Sequence, residues 1–406
     1  MAVAQGITRT WAYKVQVAKG TAASGSGGQL LRRTSITFDG TKDKYSSNEI
    51  TSTQQSTGAT HGVGSSSGSI AGEISATTYG DFMQWLVRKD WAATSAISSL
   101  SLTIAASGSN YTVTRAAGDF LTGGIKVGDV IRLTGGSLNA NNVGKNLVVT
   151  NVTATVLTVN VLNGETLTAE GPIASCTVTV TGKKAWTPTS GHTNKYITFE
   201  DYSSDVTRSQ LYADVQVASL AISAPSTGII TAQLGFVGLS PPTRSGSQVL
   251  TTPTAETTTS VMASSKFAVF INGVRQSVVT SFSLNINGNV SLGEAVIGSN
   301  SRPDTQKGRI IVDGQFTALF EDDTLAAYFD DEAAREVVIV MAEDLTDDAD
   351  VISISLPAVK FFSANGDDGE KQLVRTYTIE AQRPAGAGSG TEHNDAIVSI
   401  QDSTIA

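Results

Sequence analysis

The stretch "GEISATTYGDFMQWLV", Gly72 to Val87, has a relative far downstream in "GQFTALFEDDTLAAYFD", Gly314 to Asp330. Each reads as a strand running into a short helix. On the strand part, Ile74 and Ala76 match Phe316 and Ala318. On the helix part, Phe82, Trp85 and Leu86 match Leu325, Tyr328 and Phe329, an i, i+3, i+4 stripe in both. A helix this short is marginal alone, so the stripe is expected to pack onto a sheet. Asp81 in one stretch, and Asp322 and Asp323 in the other, stand where a carboxylate caps a helix or favours its dipole.

Outward from these stretches the repetition continues. "SITFDG" (Ser35 to Gly40) precedes the first and "SLNING" (Ser283 to Gly288) the second, each alternating apolar and polar residues before a turn. "SSNEI" and "SLGEA" follow them, aligning Glu49 with Glu294. Downstream, "LAISAPSTGIITAQLGFVG" (Leu220 to Gly238) reads as a hairpin turning at Pro225 to Gly228. Val351 to Gln382 repeats that plan with its turn at Asn365 to Gly369. Strand, long connection, strand, helix and terminal hairpin thus occur twice in one order, and duplication explains it. The expected fold is mainly β, with two tandem β-sandwich units that each carry one short helix. The first is discontinuous, over 1–95 and 185–240, and the second spans 262–384. Between the pieces of the first, residues 96–184 contain "GDFLTGGIKVGDVIRLTGGSLNANNVGKNLVVTNVTATVLTV", short strands at close intervals with Gly and Asn-Asn turns. This predicts a small, self-contained β-barrel or sandwich inserted at an exposed tip. Residues 241–261 form a Pro, Ser and Thr-rich linker, expected to be an extended strap, and 385–406 a tail with a flexible Ala385–Gly390 start.

Composition agrees with this class. The chain has 406 residues, 39 Gly, 9 Pro, 16% charged residues and a net charge of −9, which disfavours broad attraction to nucleic acid or anionic membrane. From Met262 onward there are 22 acidic and 10 basic residues, so the acidity belongs to the second half. The single Cys176 excludes an intramolecular disulfide and reads as a small buried hydrophobe. No apolar run approaches the roughly 20 residues that cross a bilayer. The N-terminus lacks the apolar segment of a secretory signal, so the chain is expected to be made and assembled in the cytoplasm.

No catalytic set is visible, and neither a cofactor nor a metal is expected. His61, His192 and His393 stand in Gly, Ser or Thr-rich loops without a matched nucleophile. "TGGIKVGD" lacks the spacing of a phosphate-binding loop, and "NGDDGEK" and "EDLTDDAD" do not follow the EF-hand pattern. Trp11, Trp85, Trp91 and Trp186 could form a sugar-stacking face, though Trp85 belongs to the helix stripe. The acidity reads either as an ordinary solvated face or as a wall that must not hold a passing polyanion, because like charges repel within about 8 Å at physiological salt.

In their order, "YSSNEI", "GSIAGEISATTYGDFMQWL", "FLTGGIKVGDVIRLTG" and "VASLAISAPSTGIITAQLGFVG" resemble the tail tube proteins of long-tailed bacteriophages, and the resemblance covers nearly the whole chain. It implies β-sandwich units with one helix, stacked as rings whose inner strands join around a DNA channel. It also implies a virion tail location and partners: the chain itself, a tape measure protein and genomic DNA in the lumen without specific binding, and the tail terminator and distal tail proteins. No membrane is implied. The connection Thr51 to Ser67 matches the loop that in such proteins reaches the adjacent ring, and Gly298 to Lys307 is its counterpart. Candidate inter-ring residues are therefore Thr51, Gln54, Gln55, Thr57, His61 and Ser65, with Ser299, Arg302, Asp304 and Lys307. Rings of this family are sixfold with one domain per subunit, so two fused copies imply a trimeric, pseudo-hexameric ring. The competing readings are an Ig-like adhesin or receptor-binding virion protein, a polysaccharide hydrolase using an acidic pair, and the tube of a contractile injection apparatus.

Overall fold

The computed structural model describes residues 3–53, 55–367, 370 and 372–405. The chain begins with β1 (Arg9–Val15), β2 (Gln29–Leu30), β3 (Ser35–Ser46), β4 (Ala59–Glu73) and α1 (Gly80–Val87). A short β5 (Ala92–Ala93) leads to β6 (Ala96–Ser107), β7 (Asn110–Arg115), β8 (Val130–Gly135), β9 (Leu147–Val152), β10 (Val156–Val161) and β11 (Glu170–Val180). It returns through β12 (Lys183–Trp186), β13 (Ile197–Ser203), β14 (Arg208–Ala224), β15 (Thr231–Gly238) and β16 (Thr243–Ser245). The rest comprises β17 (Phe267–Ile271), β18 (Val274–Gln276), β19 (Val279–Asn287), β20 (Val290–Leu292), β21 (Thr305–Lys307) and β22 (Ile311–Leu319). Last come α2 (Thr324–Asp330), β23 (Arg335–Ala342), β24 (Val351–Gly366), β25 (Val374–Ala381) and β26 (Ser399–Asp402). The fold is mainly β, as expected.

One ladder is written twice. β1 pairs with β13, β13 with β14, β14 with β15, β15 with β4 and β4 with β3. In the same order β17 pairs with β23, β23 with β24, β24 with β25, β25 with β22 and β22 with β19. The irregularities repeat too. The bulge after Ile197, opposite Val215, recurs after Arg335, opposite Val359, and the bulge at Ala218 recurs at Phe362. Bulges redirect a strand at a defined place, so shared ones fix the correspondence residue by residue.

That correspondence differs from the one expected. Lys44 faces His61 as Val290 faces Lys307, and Ile36 faces Ile70 as Phe282 faces Phe316, each residue 246 positions from its counterpart. Phe316 therefore answers to Ile70, not Ile74, Leu284 to Phe38 rather than Ile36, and Ala295 rather than Glu294 to Glu49. The slips on the strands are by four and two residues. Even slips keep every side chain on its face, so alternation alone cannot detect them. Gly68 and Gly314 hold one position in both ladders. A Cβ on Gly68 would lie 2.5 Å from the Phe38 ring, and one on Gly314 2.7 Å from the Ser283 carbonyl.

Both helices cover their sheets. α1 buries Phe82 and Leu86, half-buries Trp85, and also buries Met83 and Val87. On α2, Leu325 is buried and Tyr328 half-buried with its ring 5.8 Å from Phe361, but Phe329 is 39% exposed, contrary to the packed position expected. Asp322 Oδ1 accepts from the Thr324 N–H at 2.8 Å, whereas Asp323 and Tyr79, at the N-cap positions, make no side-chain cap bond. Asp81 accepts from Tyr13 Oη at 3.1 Å and Gln84 Nε2 at 2.9 Å.

β6 to β11 close into a six-stranded barrel. It is not self-contained. Its core, which buries Cys176, runs on into Ala268 and Phe270 of β17 and Val338 and Val340 of β23. The outer faces of those strands are apolar, and the barrel is what covers them. Residues 399–402 are no free tail either: β26 is buried and pairs with both β12 and β24. Gln401 bonds Val130 and Thr181 beside it. The linker lies along the first ladder as a strap, with Thr254 bridged to Gln29 and Val261 to Ser75.

Candidate assembly surface

The two ladders meet edge to edge. Beyond its bulge, β14 pairs on one side with β15 and on the other with β19, with Ser219 opposite Asn287, Ala221 opposite Asn285 and Ser223 opposite Ser283. The equivalents of the partners in this joint are the end of β24 from Ser363, with Asp367 just after it, and β3 from Thr37 to Thr41. Among the described residues that part of β24 pairs only with β25, and β3 only with β4. One chain therefore carries one closed joint and the two open halves of another. Open edges present unpaired N–H and C=O groups that template a further strand.

The sheet running through this joint has one face on the core and one exposed. Most of the exposed face is small and polar, with Ile311 and Phe362 as large apolar exceptions: Thr37 Oγ1 lies 2.9 Å from Ser69 Oγ, Ser363 Oγ 2.7 Å from Thr378 Oγ1, and Asn285 Nδ2 3.1 Å from Asp313 Oδ2. Among the described residues its carboxylates are Asp39, Glu73, Asp313, Asp367 and Glu380, and Lys360, opposite Glu380, is the cation beside them.

Beside the joint, β20 and β21 form an arm lying against α1. Arg88, the C-cap of α1, donates to the carbonyls of Gly288 and, at 3.0 Å, Gly308. A Cβ on Gly288 would lie 3.0 Å from Leu86 Cδ1, so the arm sits directly on Leu86, which is 1% exposed. Thr305 Oγ1 donates to Gln216 Oε1 at 2.6 Å. Lys307 donates to Asn194 Oδ1, and burial, with Arg88 nearby, pushes its pKa down to about 8.

The nominated loop residues divide accordingly. Thr51, Gln55 and Thr57 are exposed in the connection 47–58, and Gln54 lies outside the described residues. His61 and Ser65 belong to strand β4; His61 is exposed, and Ser65 Oγ lies 3.1 Å from Thr41 Oγ1. In the equally long connection 293–304, Ser299 Oγ donates to the Ser301 carbonyl at 2.7 Å and Arg302 to the Gly293 carbonyl at 2.8 Å. Asp304 accepts from Lys19 at 3.0 Å and from Tyr196, and the Asn300 carbonyl accepts from Gly64 N–H at 3.2 Å. The second connection is thus held against the first half, while Thr51, Gln55 and Thr57 of the first are exposed. Arg88 and the β14–β19 joint were not anticipated; the matching small, polar alternation of "SLAISA" and "FSLNIN" was the available signal.

One buried group carries a pH dependence. Glu336 is 6% exposed at the bulge of β23, its Oε1 lacks a partner, and desolvation pushes its pKa up to about 8 from 4.5. Below 4.5 it is protonated folded or unfolded; above that only the unfolded chain releases the proton, so stability falls until the pH passes about 8. Glu336→Gln is expected to melt with wild type near pH 4.5 and several degrees higher at pH 8, on the order of a few kcal/mol, in paired thermal melts. Equal melting temperatures at both pH values would refute it.

The family model described as phage tail tube protein matches residues 6–383. Among curated proteins, none is similar enough to the chain to be matched. The chain belongs to the phage tail tube family: it is a structural tail component that assembles with copies of itself.

Proposed function

With that membership as premise, we propose that the chain polymerises as stacked rings of three around a channel through which DNA passes during ejection. The carrying observation is the β14–β19 joint together with its two open halves. Joining chains as the halves are joined sets Ser363 opposite Thr41, Asn365 opposite Asp39 and Asp367 opposite Thr37 of the next chain. Each half contributes four strands, β3, β4, β14 and β15 or their equivalents, so a ring of three encloses its bore with twenty-four. The head-to-tail contact closes, leaving no edge free.

In this arrangement the exposed polar face lines the bore. Among the described residues of that face, its hydroxyls and carboxylates offer a polyanion no cationic anchor beyond Lys360, so DNA and a tape measure protein slide past without specific binding. In this reading the chain divides into 1–95 with 185–240, then 96–184, and then 262–384, with three inserted barrels on the outside of each ring. Thr51, Gln55 and Thr57 reach the adjacent ring, while Asp304 and Lys307 serve within the chain. Tail terminator and distal tail proteins cap the tube, which is built in the host cytoplasm. Negative-stain microscopy of purified protein should show hollow tubes or rings; discrete oligomers without a bore would contradict the proposal.

A further inference from the structure

We propose that the arm of β3 bearing Lys42 and Lys44 clamps the end of α2 in a second copy of this chain, covering Phe329 and facing Asp330, Asp331 and Glu332. The inference rests on the ring reading and adds which side chains make the joint between chains selective.

Phe329 is the starting point. It stands two residues before the α2 C-cap, Asp331, as Leu86 stands two before the α1 C-cap, Arg88. Leu86 is 1% exposed because the arm of the second half lies on it, and Phe329 is 39% exposed. The two helix ends differ in what covers them. In the ladder correspondence, Gly288 and Val290, which bracket the arm over Leu86, answer to Lys42 and Lys44 of β3. Both lysines are exposed, as are Asp330, Asp331 and Glu332. Asp331 also pairs with Arg335, so Asp330 and Glu332 are the freer acids.

The chemistry is therefore exchanged between the joints. Within the chain, a cationic helix end, Arg88 and Lys89, meets the uncharged Gly288 and Val290, with Lys307 turned aside to Asn194, and bonds the carbonyls of Gly288 and Gly308. Between chains, an acidic helix end meets a cationic arm. Wrong pairings are penalised by the same charges, because the lysine arm set on another first half would face Arg88 and Lys89. Like charges brought together oppose an incorrect partner more strongly than opposite ones favour the correct partner. The clamp thus makes first and second halves alternate around the ring.

The test is the concentration at which the full chain pelets as polymer. Lys42→Glu/Lys44→Glu should raise it about tenfold or more, with the monomer's melting temperature unchanged. Adding Asp330→Lys/Glu332→Lys to that variant should restore assembly, and Phe329→Ser alone should weaken it. Assembly of Lys42→Glu/Lys44→Glu at the wild-type concentration, or no rescue by the exchanged pair, overturns the clamp while leaving the tube intact. A wild-type chain that never assembles overturns both.

Discussion

Replacing Asp39 and Asn365 together with cysteine should convert the protein, on oxidation of its assembled form, into covalently closed trimers. In the intramolecular joint the equivalent residues, Asn285 and Ala221, stand directly opposite one another. Facing residues in an antiparallel pair lie about 4.5–5.5 Å apart at Cα, within the span a disulfide bridges. Asp39 and Asn365 sit on exposed parts of their strands, and the native Cys176 is buried in the barrel and does not compete. Denaturing gels should show one dominant band at three times the chain mass, and either single variant alone should give none. A neighbouring pair such as Asp39 with Ser363 should link poorly, because the register places Ser363 opposite Thr41. A ladder of random multimers would mean that the strands do not meet in this register.

The second large effect separates the two helices. Phe82→Ala should lower the folding free energy by about 3–5 kcal/mol, the usual cost of emptying a fully buried aromatic site. Phe82 is 0% exposed and its ring contacts those of Tyr13, Trp85, Phe199 and Phe236 at centroid distances of 4.7 to 5.9 Å. Phe329→Ala, at the exposed end of α2, should change monomer stability by less than about 1 kcal/mol. Denaturant titration of the two variants measures the contrast. Similar losses would mean that α2 is packed as α1 is, and the clamp would then have nothing to cover.

These effects rest on details that were legible in the sequence to different depths. Alternating Val, Ile, Thr and aromatic residues between Gly and Asn turns disclosed the β class, both terminal hairpins and the barrel segment. The spacing of Phe82, Trp85 and Leu86 disclosed a packed helix. Register was hidden, because stretches such as "SITFDG" and "SFSLNI" match equally well when shifted by two. Only the ladder and its bulges set the offset of 246 that turns Lys42 and Lys44 into counterparts of Gly288 and Val290. The burial of β26 was hidden too. Its apolar run in "EHNDAIVSIQDSTIA" is only Ala396 to Val398 and Ile400, too short to name a partner, and what orders it is Gln401 inserted between the start of β8 and the end of β11, contacts between residues 271 and 220 positions apart. The shared core of the barrel and β17–β23 was unreadable for a related reason: strands buried on both faces show continuous apolar runs, "VVIVMA" and "FAVFI", which do not say what covers the second face.

The central claim is that one chain supplies two successive positions of a closed ring. Cryo-electron microscopy of the assembled tube measures this directly. The account predicts threefold rings with three chains, twenty-four strands around the bore and three external barrels. A ring of six chains, or a bore lined by strands other than β3, β4, β14, β15 and their second-half equivalents, would contradict it.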